Sequence, residues 1–211
     1  MRTFTLVPDT LDDAVQEAAQ VLREGKVVIY PTDTLYGLGA DAFSDEAFEK
    51  VCMIKERDER RPVHAVFADL AMAEAYAELT PTAQTLAQAF LPGPLTLVLK
   101  KKKHLTTGIA RSLDTVGVRI PKHDFCLTLA AAFGRPYTTT SANVSGEESP
   151  ATLQGIIAQL GERAAHVALA IDGGAVDAHL RSTVVDARAT VPHILREGAI
   201  TERDIRRALG H

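Results

Sequence analysis

Apolar and polar positions switch between a helical and a strand period along this chain. Leu11, Ala14, Val15, Ala18 and Leu22 recur at helical spacing. Asp12 and Asp13 fill that helix's first turn, where negative charge suits the dipole, and Gly25 is a natural stop. Residues 26–30 form a short β-rich run ending at Pro31, and 32–39 read as a loop carrying two glycines. Ser44 is the expected N-cap of a second helix, with Asp45 and Glu46 in its first turn and Phe48, Val51 and Cys52 on its apolar face. Further strands are predicted over 63–67, 95–99, 115–120, 137–141, 167–171, 183–186 and 193–196. Helices are predicted over 70–79, 81–90, 124–133, 152–160 and 202–209. This interleaving predicts an α/β protein with helices packed on a sheet. Strands follow one another without a helix near 95–120 and 183–196, so antiparallel pairs join parallel ones in a mixed sheet. No repeat or low-complexity linker divides the chain, and a single domain over 1–211 is expected.

Composition narrows the class. The 211 residues are 46% hydrophobic and 24% charged, which excludes disordered and fibrous chains. No uncharged apolar run reaches the ~18 residues needed to span a bilayer, and the first ten residues do not form a secretory signal. Cys52 and Cys126 lie 74 positions apart in apolar segments and read as buried thiols of a reducing cytoplasm. The net charge of −4 disfavours a generally cationic nucleic-acid binder but not a local basic pocket.

Three segments carry candidate chemistry. Phe48, Val51, Cys52 and Lys55 are spaced i, i+3, i+4, i+7. That spacing turns Lys55 to the inward face, where an ammonium is expensive unless an anion meets it; a solvated basic helix end is the alternative. Residues 137–146, Tyr-Thr-Thr-Thr-Ser-Ala-Asn-Val-Ser-Gly, form a hydroxyl-rich strand running into a turn. Thr139, Ser141 and Asn143 share one face if the chain stays extended, unless the segment is a plain Thr-rich edge. Arg119 interrupts an apolar strand and needs a carboxylate or phosphate partner, met equally by a structural salt bridge or a ligand. The lysine run 100–103 reads as a solvated turn or an RNA phosphate contact. There is no P-loop, no G-x-G-x-x-G, no G-x-S-x-G, and no zinc-ligand spacing.

The order of the segments is more specific than any one of them. The series runs Pro31-Thr-Asp-Thr-Leu-Tyr-Gly-Leu-Gly39, Lys55-x-Arg57, Pro92-Gly-Pro-Leu-Thr96, Val118-Arg-Ile-Pro121, Ser141-Ala-Asn143-x-Ser145-Gly146, Ser182-Thr-Val-Val-Asp186 and Leu195-Arg-x-Gly-Ala-Ile200. It resembles the YrdC family of L-threonylcarbamoyladenylate synthases over about residues 10–209, in what reads as the short form. The resemblance implies a twisted mixed α/β sheet around a concave, positively charged cavity. It implies a reaction in which L-threonine, bicarbonate and ATP, with Mg²⁺, give threonylcarbamoyl-AMP and pyrophosphate. A separate threonylcarbamoyl transferase complex then uses the product to modify tRNA, in the cytoplasm. A non-catalytic YrdC-like protein that holds tRNA or double-stranded RNA is the alternative, and the intact K-x-R and S-x-N argue against it.

Such a reaction brings two anions together and needs positioned cations more than an acid/base pair. Lys55 and Arg57, with Arg61, are expected at the triphosphate, and Ser141 and Asn143 at phosphate and carbamate oxygens. Thr115 is expected on the nucleotide side. Arg119 is expected to clamp threonine's carboxylate, with Thr32, Thr139 and Ser182 on its amino and hydroxyl groups. By resemblance alone, Ser149 and Arg196 contact the nucleotide. No protein-held metal is expected. Two positions depart from the family pattern: Asp58 replaces a frequent proline, and Val66 stands where longer members carry a histidine. His64, two residues before it, is therefore not given that role.

Overall fold

Most of the α-helices start where the sequence supplies a side-chain cap. The computed structural model describes residues 1–58, 62–177 and 180–210. Ser44 accepts a hydrogen bond from the Ala47 amide (3.3 Å), opening α2 (Asp45–Lys55). Thr80, with Pro81 behind it, opens α4 (Pro81–Phe90), and Thr152 opens α6 (Leu153–Leu160). The other helices are α1 (Leu11–Arg23), α3 (Leu70–Glu74), α5 (Asp124–Phe133) and α7 (Glu202–Ala208). The first six strands are β1 (Arg2–Thr5), β2 (Val27–Tyr30), β3 (Gly37–Gly39), β4 (His64–Val66), β5 (Ala77–Glu78) and β6 (Leu95–Lys101). The rest are β7 (Thr115–Arg119), β8 (Tyr137–Ser141), β9 (Val167–Asp172), β10 (Thr183–Asp186) and β11 (His193–Arg196).

These strands join in one sheet of order β1-β9-β2-β3-β8-β4-β7-β6-β10-β11, with β5 alongside β6. The sheet is mixed, as the spacing of elements predicts. The β6–β7 and β10–β11 pairs are antiparallel, while β2–β9, β4–β7 and β6–β10 are parallel. Among the described residues no helix is long and apolar enough to cross a membrane. Cys52 and Cys126 are both buried.

Three expectations are corrected. The helix predicted over 70–79 ends at Glu74, and Ala77–Glu78 pair with Lys100–Lys101 as a strand. The sequence pattern predicts no strand at β1: Arg2–Thr5 is a largely exposed edge strand, paired with β9 and contributing only Phe4 to the core. The loop predicted over 32–39 ends in strand β3. Its glycines are there for packing: a Cβ on Gly37 or Gly39 would meet the Tyr30 ring at 2.8 or 2.9 Å. Tyr30 lies across them, and its hydroxyl donates to the Thr138 carbonyl (3.0 Å).

Alternation along the strands divides the core. Val27, Ile29, Leu38 and Ala65 face one side, under α2 and α6 at one end and α3, α4 and α7 at the other. Val28, Tyr30, Val66 and Tyr137 face the opposite side, under α1 and α5. That second face is covered only in part. Thr139 and Ser141 follow Tyr137 on it. His64 precedes Val66, and Arg119 pairs in register with Val66 and with Thr96. Beyond the reach of α5 these side chains line an open concavity.

Candidate active site

The concavity encloses about 330 Å³ and is dominated by polar groups. Nine of the residues expected from the sequence line it. Lys55, Arg57, Ser141 and Asn143 lie on one part of its wall, and Thr32, Thr139, Ser182, Arg119 and Arg196 complete the set. Six separated stretches of sequence thus converge, with β8 running beside β3 and β4 and Arg119 ending β7. A larger recess of about 780 Å³, between α4, α7 and β11, holds none of them.

Lys55 is the last residue of α2 and is only 2% exposed. Its ammonium meets three carbonyl oxygens, not the anion expected. It donates to the Ser141 carbonyl, to the Asn143 carbonyl (2.9 Å) and to Asn143 Oδ1 (2.8 Å). Asn143 Oδ1 also accepts from Ser141 Oγ (2.6 Å), and its Nδ2 donates to the Glu147 carbonyl (2.6 Å). Lysine, serine and asparagine therefore form one knot at the end of β8. Three acceptors favour the ammonium, but burial first and then the Arg57 charge oppose it, and the pKa is pushed down to about 7. The chain turns sharply after Lys55: Glu56 is left-handed (φ 50°) and its carboxylate pairs with Arg163. That turn lets Arg57 face the same space as Lys55.

The lysine's protonation gives a pH prediction. Its pKa lies below the ordinary 10.5, so the charged form is lost as pH rises through about 7 in the empty cavity. Affinity for ATP, measured by titration calorimetry, is expected to fall between pH 7.5 and 9.5. In Lys55→Met it is expected to be weak and flat over that range.

Arg119 reconciles the two readings of its strand. It is buried, and one Nη donates to Asp33 Oδ1 at 2.6 Å, a structural ion pair. The other Asp33 oxygen accepts from the Lys122 amide (3.1 Å). Arg119 Nε is buried and has no hydrogen-bond partner. The guanidinium is thus anchored on one side and has an unspent donor on another, which costs stability unless a ligand uses it. Thr32, by contrast, is committed locally: its hydroxyl donates to the Leu35 carbonyl (2.7 Å) and accepts from the Thr34 amide (3.0 Å). Ser182 is steadied by Arg196, which donates to both its carbonyl (2.8 Å) and its hydroxyl (3.1 Å).

Two expected residues are not brought to the lining. Thr115 opens β7 beside Lys100, four residues and roughly 13 Å of strand away from Arg119. Ser149 lies past the Ser145–Glu147 turn, buried, with an unpartnered hydroxyl. Arg61 and Arg60 lie outside the described residues. Asp58 is exposed and does not line the cavity, and Val66 is packed in the core beneath α5. Arg181 and Glu147, which the sequence does not single out, also line the cavity, as does His64, which it leaves without a role. Arg181 had a usable signal, its place beside Ser182. Asp33 sat inside the quoted Thr-Asp-Thr motif without a partner being named for it.

Comparison with known proteins agrees with this architecture. The chain is 36% identical to a threonylcarbamoyl-AMP synthase of Bacillus subtilis, over 99% of its own length and 61% of the relative's. It is 35% identical to a threonylcarbamoyl-AMP synthase of Vibrio cholerae, over 89% of this chain and 99% of that one. A crystal structure of Pyrococcus abyssi Sua5 complexed with L-threonine superposes with a TM-score of 0.88 at 34% identity, covering 99% of this chain and 60% of the other. The chain therefore spans about three fifths of the length of the Bacillus and Pyrococcus proteins. Residues 20–198 match the family model of Sua5, YciO and YrdC proteins, described as telomere recombination, and the chain belongs to that family.

Proposed function

We propose that this protein is a threonylcarbamoyl-AMP synthase. It joins L-threonine, bicarbonate and ATP into threonylcarbamoyl-AMP and pyrophosphate, a nucleotidyl transfer that feeds the threonylcarbamoyl modification of tRNA. The observation that carries the reading is the convergence of Lys55, Arg57, Ser141 and Asn143 on one small polar cavity that Arg119 also faces. Relatives bearing that activity in their names, and a related structure holding L-threonine, support it.

Threonine's amine and bicarbonate give a carbamate and water. A carbamate oxygen then attacks the α-phosphorus, and the α–β bridging oxygen leaves with pyrophosphate. Charge grows on the transferring and leaving oxygens, and Lys55 and Arg57 stabilise it from fixed positions. Ser141 and Asn143 hold Lys55 through their carbonyl oxygens; the second amide hydrogen of Asn143 is offered to the same oxygens, and the Ser141 hydroxyl reaches them by turning away from Asn143 Oδ1. Arg119, pinned by Asp33, takes threonine's carboxylate through its remaining donors. Thr139 and Ser182 face the amino acid's polar groups. Thr32 shapes its loop, and Arg196 acts on the nucleotide side partly by holding Ser182. Arg61, Thr115 and Ser149 remain proposed nucleotide contacts.

Among the described residues no three His, Cys, Asp or Glu side chains converge to hold a metal by themselves. Magnesium would instead arrive on the phosphates of ATP. A cavity of about 330 Å³ suits small reactants better than an RNA duplex, which disfavours the RNA-holding alternative. Direct tRNA contact, hand-over to a transferase complex and a cytoplasmic setting belong to the same proposal.

Pyrophosphate release from ATP tests the reading. It should require threonine and bicarbonate together. Release that ignores either one speaks against it.

Arg119→Lys separates the amino-acid side from the nucleotide side. Lysine keeps the charge and can keep the Asp33 pair, but it loses the fork. The threonine KM is expected to rise about 10- to 100-fold, the worth of a hydrogen bond to a charged group, with the ATP KM nearly unchanged. Steady-state kinetics with each substrate varied in turn provides the check.

A further inference from the structure

His64, to which the sequence pattern gives no role, lies on the cavity wall. It opens β4 directly between Gly117 of β7 and Thr139 of β8. A Cβ on Gly117 would stand 2.3 Å from His64 Cδ2 and 2.8 Å from Cγ. Glycine in mid-strand weakens a sheet unless something must approach its backbone closely, and here the imidazole does so. No hydrogen bond to either ring nitrogen is made by the described residues.

The surroundings are cationic. Burial, then the charges of Arg196, Arg57 and Arg119, hold the imidazole neutral, with its pKa pushed down to about 3. A neutral imidazole keeps one N–H donor and adds no fourth positive charge to the arginines around it. Arg119 follows Gly117 on the same face of β7, so its unpartnered Nε is a diagonal neighbour of His64. Two unspent donors on adjacent strands suit a planar anion with two oxygens.

Resting on the synthase reading above, we infer that His64 contacts substrate, donating a hydrogen bond to a carboxyl-type oxyanion held with Arg119. That oxyanion is either threonine's own carboxylate or the carboxylate that bicarbonate contributes to the carbamate. His64 acts as a fixed neutral donor, not as an acid or base, and Gly117 is the space that lets it lie there.

The test uses His64→Leu, which fills the space without a donor, His64→Ala as a second truncation, and His64→Gln, which restores a neutral N–H. Pyrophosphate release is followed with threonine, bicarbonate and ATP each varied in turn. The leucine and alanine variants are expected to raise the threonine or the bicarbonate KM roughly tenfold, the worth of one neutral hydrogen bond, with the ATP KM within about twofold. Which KM rises identifies which oxyanion is held. Glutamine is expected to restore most of the loss. Gly117→Ala, which displaces the imidazole, should reproduce the loss in the parent chain and add little in His64→Ala. Unchanged threonine and bicarbonate KM values, a rise confined to ATP, or a glutamine variant as impaired as leucine would each overturn the inference. A parent protein that releases no pyrophosphate under any combination overturns the synthase reading itself, and so the two failures are distinguishable.

Discussion

Lys55→Met is expected to lower the rate of adenylate formation by at least about 100-fold while the protein stays folded. Removing one group aimed at transition-state charge typically costs about 3 kcal/mol or more. Lys55 does more than supply charge, because its ammonium ties the Ser141 and Asn143 carbonyls and the Asn143 side chain together. Its loss should therefore also loosen the turn that presents Ser141. Methionine is the informative replacement: it fills the buried stem, and water from the cavity can reach the vacated oxygens. Arg57→Ala is expected to act in the same direction by removing the neighbouring cation. Turnover assays on variants whose thermal melts match the parent check both. Near-normal rates in either would remove the residue from the reaction.

Selection among amino acids is the second large effect. Threonine, serine and valine should rank in that order, with valine behind threonine by up to about 10⁴-fold. The part of the wall expected to face the amino acid carries the hydroxyls of Thr139 and Ser182, and Ser182 is held by Arg196 and by Thr96 Oγ1 (3.3 Å). Valine would leave these polar groups facing a methyl, which is costly. Serine lacks only a methyl, worth about 10- to 200-fold. Thr32 contributes little, because its hydroxyl is already bonded within its own loop. The measurement is pyrophosphate release at matched subsaturating amino acid. A valine rate equal to that of serine would show that the wall reads shape alone.

Much of this fold was legible because local signals agreed with tertiary demand. The segments 81–90, 124–133, 137–141, 183–186 and 193–196 carry caps or alternation that the folded chain keeps to the residue. The failures came where burial partners lie far off in sequence. Gly37 and Gly39 read as loop residues because nothing local shows the Tyr30 ring laid across them. Arg2–Thr5 is too short and too exposed to stand out without β9 beside it. The site shows the same division. Residue types and order pointed to Lys55, Arg57, Ser141, Asn143 and Arg119. The Asp33 anchor, the carbonyl cage around Lys55 and the seat of His64 against Gly117 exist only once β4, β7 and β8 are side by side.

The most direct measurement follows the carbon of bicarbonate. The purified protein is incubated with ATP, L-threonine and ¹³C-bicarbonate, and the nucleotide products are weighed by mass spectrometry. The account predicts threonylcarbamoyl-AMP carrying one heavy carbon, formed together with pyrophosphate and absent from Lys55→Met. Adenylate without the heavy carbon, or ATP returned unchanged by an intact and folded protein, would contradict it.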